Sequence, residues 1–116
     1  MTSFATTVSD LELFDEPLDA EQIVAGSPIV SHRLISESDD KRVLRGVWQI
    51  TPGVVTDTED DEMFVVVFGS ATIELLDAGR TLDVRAGDVC VFAEGERTRW
   101  TVHETLRKVY QITEPA

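Results

Sequence analysis

Apolar and β-branched residues recur along this chain in short runs divided by polar punctuation. Val43–Ile50 alternates and stops at Thr51-Pro52-Gly53. Met63–Phe68 is dense in aromatic and β-branched residues and stops at Gly69. Ala71–Leu76 alternates into a turn at Asp77-Ala78-Gly79. Thr81–Arg85, the turn Ala86-Gly87-Asp88, Val89–Phe92, a turn at Gly95, Arg99–His103 and Leu106–Ile112 follow. Short runs bounded by turn residues at a spacing of roughly 8–12 residues predict an all-β sandwich or barrel. The five glycines between runs read as hairpin turns, where a positive φ or a tight bend suits them.

The first part of the chain has a different texture. Asp10–Glu21 is acidic with scattered apolar residues; Asp19 is placed to cap a helical turn over Ala20–Val24, and Gly26 and Pro28 stop it. Residues 1–28 therefore read as an arm packing on a body formed by residues 29–116. Within the body, side chains alternate between faces. Glu62, Phe64, Val66 and Phe68 share one face of their strand; Met63, Val65 and Val67 share the other. Both are largely apolar, so one is expected to face the barrel interior and the other to meet the arm or a second chain. Large exposed apolar rows usually mark interfaces, so a homodimer is expected.

Composition narrows the functional classes. The 116 residues are 42% hydrophobic and 28% charged, ordinary for one globular domain. Asp plus Glu number 22 against 10 Lys plus Arg, a net charge of −12. Such a surface repels phosphate backbones and anionic lipid, which argues against nucleic-acid and peripheral-membrane partners. No apolar run approaches the ~18–20 residues of a membrane span, and the N-terminus has neither a basic region nor a long apolar stretch, so the cytoplasm is the expected compartment. The lone Cys90, on a strand with Phe92, reads as a small core residue. No Gly-x-Ser-x-Gly elbow and no phosphate- or dinucleotide-binding glycine motif occurs.

The order of turns resembles the cupin superfamily, small antiparallel jelly-roll barrels. Glu62 and Gly69 match the end of the motif Gly-x5-His-x-His-x3–4-Glu-x6-Gly, whose leading glycine is unmatched; Gly87, Asp88 and Gly95 match the spacing of a second motif. The sequence is similar in particular to the single-domain cupins related to (S)-ureidoglycine aminohydrolase and to ethanolamine-utilisation cupins. It carries Gly46-Val47-Trp48, Thr51-Pro52-Gly53, Asp61-Glu62, Gly87-Asp88, Trp100 and Arg107-Lys108-Val109-Tyr110 in that group's order. The resemblance spans residues 25–113. It implies an all-β cupin-type double-stranded β-helix, and in relatives a metal held by imidazoles and a carboxylate.

This chain departs from that metal site. Counting back from Glu62, the two histidine positions of the first motif hold Thr56 and Thr58; that of the second holds Thr98, and Ala93 and Val102 stand at its proline and asparagine. Neutral hydroxyls are feeble transition-metal ligands, so neither metal nor cofactor is expected. His103 is out of phase with Thr98, Trp100 and Val102 and is expected to point away from the pocket; His32 precedes the barrel motifs and reads as a structural residue. The motif phase turns Thr56, Thr58, Glu62, Thr98 and Trp100 inward, and Trp48 shares an inward face with Leu44, Gly46 and Ile50. Lys108 lies in phase with Leu106, Tyr110 and Ile112. A lysine on such a face requires a counter-charge, and Glu62 is the nearest candidate.

Two readings fit this constellation. In one, Lys108 and Glu62 form a structural plug where relatives hold a metal. In the other, Trp48, Thr56, Thr58, Glu62, Thr98, Trp100, Lys108 and Tyr110 line a pocket for a small polar organic ligand. The second divides into a metal-free binding protein and an enzyme acting on a small nitrogenous or carboxylated metabolite. For the enzyme, Glu62, Lys108 and Tyr110 are the candidate catalytic residues.

Overall fold

A computed structural model describes residues 2–116. The fold is all-β. Among the described residues the strands are β1 (Phe14–Asp15), β2 (Ile23–Ala25), β3 (Val30–Glu37), β4 (Val43–Ile50), β5 (Gly53–Thr58), β6 (Asp61–Leu75), β7 (Arg80–Arg85), β8 (Val89–Phe92) and β9 (Arg97–Thr113), with one 3-10 turn at Ala20–Gln22. No helix among them is long and apolar enough to cross a membrane.

The two longest strands form the spine. β6 and β9 pair antiparallel from Asp61↔Thr113 to Leu75↔Thr98. Around the first half of this ribbon lie β8 beside β6, and β4, β3 and β1 in succession beside β9. Around the second half lie β7 beside β6, and β5 and β2 beside β9. The sheet thus curls into the two walls of a jelly-roll barrel.

The sequence divides each spine strand in two, with a turn at Gly69; the structure keeps each continuous. Register shifts between Val66 and Ala71 let the ribbon bend instead of stopping. Gly69 sits there at φ +89°, and a Cβ would lie 2.6 Å from the Leu106 Cα and collide with the Thr105 carbonyl oxygen. Only glycine combines that φ with that closeness to the facing strand. Its place in the pattern looks like a hairpin because a bulge and a turn require the same residue.

The N-terminal segment is more integrated than an arm. β1 and β2 extend the two walls by pairing with β3 and β5. The helical turn ends at Gln22, earlier than the expected Val24, because Ile23–Ala25 is taken up by the ladder with β5. Arg107 fastens the stretch before β1, donating from Nη1 to the carbonyls of Val8 (2.9 Å) and Leu11 (3.0 Å).

The barrel interior is filled by the alternate residues expected from the period of two. Phe64 and Val66 of β6, Ile73 beyond the bend, Trp100, Val102, Leu106 and Tyr110 of β9, and Ile50 of β4 are all buried. Cys90 is a buried core residue opposite Phe64, and burial pushes its thiol up to about 11. The opposite face of β6 and β8 is bare: Met63 is 47% exposed, Val65 42%, Val89 60% and Val91 69%.

Candidate functional site

The site forms where β4, β5, β6 and β9 converge at one end of the barrel. Cross-strand register aligns His32 of β3, Trp48 of β4 and Lys108 of β9 in one row. The next row places Gly46 between Leu34 and Tyr110. Gly46 has no Cβ, and one would collide with the Tyr110 phenol and lie 2.8 Å from the Arg33 carbonyl oxygen. Its absence lets the Tyr110 side chain cross β4 to reach His32. The two rings stack with centroids 5.6 Å apart, and His32 Nε2 shares a hydrogen bond with Tyr110 Oη. Burial, then the nearby Glu16 and Glu62 carboxylates, push the phenol up to about 12, so it keeps its proton at neutral pH.

Lys108 and Glu62 meet as the strand faces require. Lys108 Nζ donates to Glu62 Oε2 at 2.7 Å, and both side chains are almost fully buried. The ammonium also lies 4.4 Å from the Phe64 ring centroid, 4.5 Å from Trp48 and 5.2 Å from Trp100. Three π-faces and a carboxylate therefore replace its hydration shell. Trp100 comes from the wall opposite Trp48 and Phe64, and its contacts with those rings and with Phe92 join the walls.

A second buried carboxylate, Glu59, stands beside this pair. It lies between β5 and β6, only 6% exposed. Its Oε2 accepts from Thr98 Oγ1 at 2.7 Å and from Trp100 Nε1 at 3.0 Å. Burial pushes its carboxyl up to about 7; Lys108 and the two hydrogen bonds pull against that, while Asp57 adds to it. Asp57 is itself raised, chiefly by burial. Above these groups opens a cavity of about 340 Å³, at the small end of ligand pockets.

Of the residues marked from the sequence, Trp48, Glu62, Trp100, Lys108 and Tyr110 converge on this cavity. Thr98 is fully buried and reaches the site through its bond to Glu59. Thr56 and Thr58 do not point inward as expected. The β5–β9 register sets them opposite Arg99 and Arg97, on the outer face, while Val55 and Asp57 stand opposite the buried Trp100 and Thr98. Both threonines nevertheless line the cavity. The motif allows three or four residues before its glutamate; the shorter count selects Thr56 and Thr58, whereas the strand phase turns the residues at the longer count, Val55 and Asp57, toward Trp100 and Thr98. His103 is exposed and bonded to Thr72 Oγ1 at 2.8 Å, pointing away as expected.

Sequence reasoning misses Glu59, Asp57 and His32. Glu59 lies outside the strands, where no period assigns a face. The sequence signal for His32 is its even spacing from Val30 on a strand next to Trp48.

The cupin metal site does not fit these residues. The residues that β5 and β9 turn inward there are Val55, Asp57 and Thr98, and Glu62 is engaged by an ammonium. Among the described residues no three His, Cys, Asp or Glu side chains gather as a metal-binding group.

The bent spine, the two curled walls and a polar pocket at one barrel end define a cupin. Residues 37–110 match the EutQ-like cupin domain, and the chain belongs to that family. Its structure is similar to the EutQ protein of Clostridium difficile (18% identity, TM-score 0.65, covering 82% of this chain and 77% of that one). A DUF861-family protein of unknown function from Pseudomonas syringae is similar at 24% identity and TM-score 0.79, over 90% of this chain but 45% of that one. A Rhizobium leguminosarum protein of unknown function is similar at 16% identity and TM-score 0.71, over 99% of this chain and 100% of that one. No curated protein sequence matches the chain.

Two predictions follow from the charges. Glu62→Gln or Lys108→Met alone leaves the other charge buried and unpaired, so each is expected to cost about 3–5 kcal/mol of unfolding free energy. The double change removes both charges and is expected to cost less than either. Denaturant titration of the four proteins checks this, and purely additive losses would contradict it. For Glu59, the unfolded carboxyl ionises near 4.5 and the folded one near 7. Between those values the folded chain retains a proton the unfolded chain has lost. Its stabilising contribution is therefore full below about 4.5 and lost as pH rises through about 7. Relative to wild type, Glu59→Gln should gain about 1–3 kcal/mol from pH 5 to pH 8. A stability difference constant with pH would refute the shift.

Proposed function

We propose that this protein is a small-molecule-binding cupin whose pocket holds an organic ligand without a transition metal. The observation that carries the reading is the cavity of about 340 Å³ above a Lys108–Glu62 pair that is already neutralised internally. The resemblance to metal-holding cupins implies a charged metal in this part of the barrel; here the ammonium is part of the chain, and the space above it remains. The experiment is a panel of ureides, amino acids, sugar acids and amines, followed by NMR at the indole N–H signals of Trp48 and Trp100. At least one class is expected to shift both signals, equally with and without a chelator. Silence across the panel would overturn the reading, and a response abolished by the chelator would overturn its metal-free part.

A second reading is an enzyme acting on a small nitrogenous or carboxylated metabolite, akin to the ureidoglycine aminohydrolase group. Glu59 favours it: a buried carboxyl pushed up to about 7 suits a general base at neutral pH. In that reading Glu59 is the proton acceptor, because the carboxylate of the sequence candidate Glu62 is bound to Lys108. Product formation from a bound panel member, lost in Glu59→Gln, decides for it.

Self-association belongs to the same proposal. β8 pairs only with β6 among the described strands, so its other edge is free. This edge has no lysine or proline to discourage pairing, and it carries the exposed Val89 and Val91 beside Met63 and Val65. A second copy packing sheet face against sheet face there would bury that apolar row. Light scattering at micromolar concentration is expected to give a dimer, and Val91→Lys a monomer; a monomeric wild type would overturn this.

A further inference from the structure

We infer that the pocket's ligand is a small organic cation with N–H donors, a primary amine or a guanidinium. The inference rests on the small-molecule reading above and adds the ligand's charge and hydrogen-bonding character.

The charge of the lining comes first. Glu16, Asp57, Glu59, Asp60, Glu62 and Glu114 line the cavity, and against these six carboxylates stand Lys108 and the imidazole of His32, which is hydrogen-bonded to Tyr110. Of those carboxylates, Glu62 alone lies in an ion pair among the described residues; the other pair, Arg97–Asp77, does not border the cavity. Arg42 comes near the rim, but its Nε donates to the backbone carbonyl of Glu114, not to the carboxylate. Lys108 is committed to Glu62 and to three rings, so it does not offer a free positive charge to a carboxylate or phosphate. An anion entering this space would meet unpaired negative charge in a partly desolvated enclosure, where such repulsion is strong.

The second observation is independent of that count and concerns one atom. Glu59 is more than nine-tenths buried and borders the cavity. Both of its protein donors, Thr98 and Trp100, bind Oε2. Oε1 has no protein donor among the described residues, yet it is not sealed away, since no buried side-chain oxygen or nitrogen lacks a partner. An acceptor held rigidly by its twin oxygen and open to a cavity is a place for a donor. A ligand ammonium or guanidinium there would make a charge-assisted hydrogen bond and offset the field of Asp57. The same geometry separates N–H cations from quaternary ones, which carry the charge without a donor.

The test uses wild-type protein and probes matched in size. These are n-butylammonium and butylguanidinium as donors, butyltrimethylammonium as a cation without N–H, butanamide as a neutral, and butyrate as an anion. Binding is followed by calorimetry and by the Trp100 indole N–H, which shares Glu59 with the ligand. The N–H cations are expected to bind at least tenfold more tightly than the quaternary, neutral and anionic probes and to shift the Trp100 signal. Glu59→Gln is expected to remove most of that preference, while the charge series on wild type tests the inference even if the variant misfolds. Tighter binding of butyrate or butanamide would overturn the cationic ligand and leave the pocket reading standing. Equal binding of all cations, without a Trp100 shift, would reveal attraction to the acidic surface and overturn it too. No binding by any probe would count against this inference, and joined to a silent wider panel it would remove the pocket reading as well.

Discussion

An ammonium ion enters a protein interior only where something replaces the water it gives up. In this barrel the replacement is a carboxylate at 2.7 Å and three aromatic rings, and the whole interior is arranged around it. Trp48 and Phe64 reach Lys108 from one wall, Trp100 from the other, so the cation is also a point at which the walls are fastened together. Neither partner is tolerable without its mate. The requirement fixes Glu62 and Lys108 to inward positions on adjacent strands, and with them the register of β6 against β9.

That arrangement changes the chemistry open to the fold. A catalytic metal keeps a coordination position open for exchangeable ligands, whereas a lysine tethered to β9 does not leave and presents no vacant orbital. What the cavity offers instead is hydrogen bonding and charge. Glu59 presents an oxygen with no protein donor, the His32–Tyr110 pair presents polar atoms held by stacking, and a rim of carboxylates sets the sign of the field. The small residue Gly46 is as necessary as the charged ones, since it clears the space through which Tyr110 reaches its partner.

The all-β class, most of the strands and the inward set on β4, β6 and β9 were legible because they repeat with a period of two. The meeting of Lys108 with Glu62 was legible for the same reason, joined to the cost of an unpaired buried charge. Three things were hidden. Thr56 and Thr58 fall on the wrong face because a motif that tolerates either of two spacings cannot fix the phase of a strand by counting. Glu59 escapes because a residue between strands has no period, and its burial arises from contacts with Thr98 and Trp100 far along the chain. Gly69 reads as the end of a strand because glycine serves a bend and a turn alike.

The long β6–β9 ribbon has a consequence for how the chain is made. β4 has one of its two ladder partners in Leu106–Thr113, roughly sixty residues further along, and β5 pairs with Arg97–Val102, about forty residues on. Each has one near neighbour, β3 or β2, but its other ladder forms only after β9 has been made. Long-range pairings of this kind are slow to form and leave strand edges uncovered meanwhile. The β3–β4 hairpin can form early from neighbouring residues, but its place in the barrel wall is settled only when β9 pairs with β4 and β5.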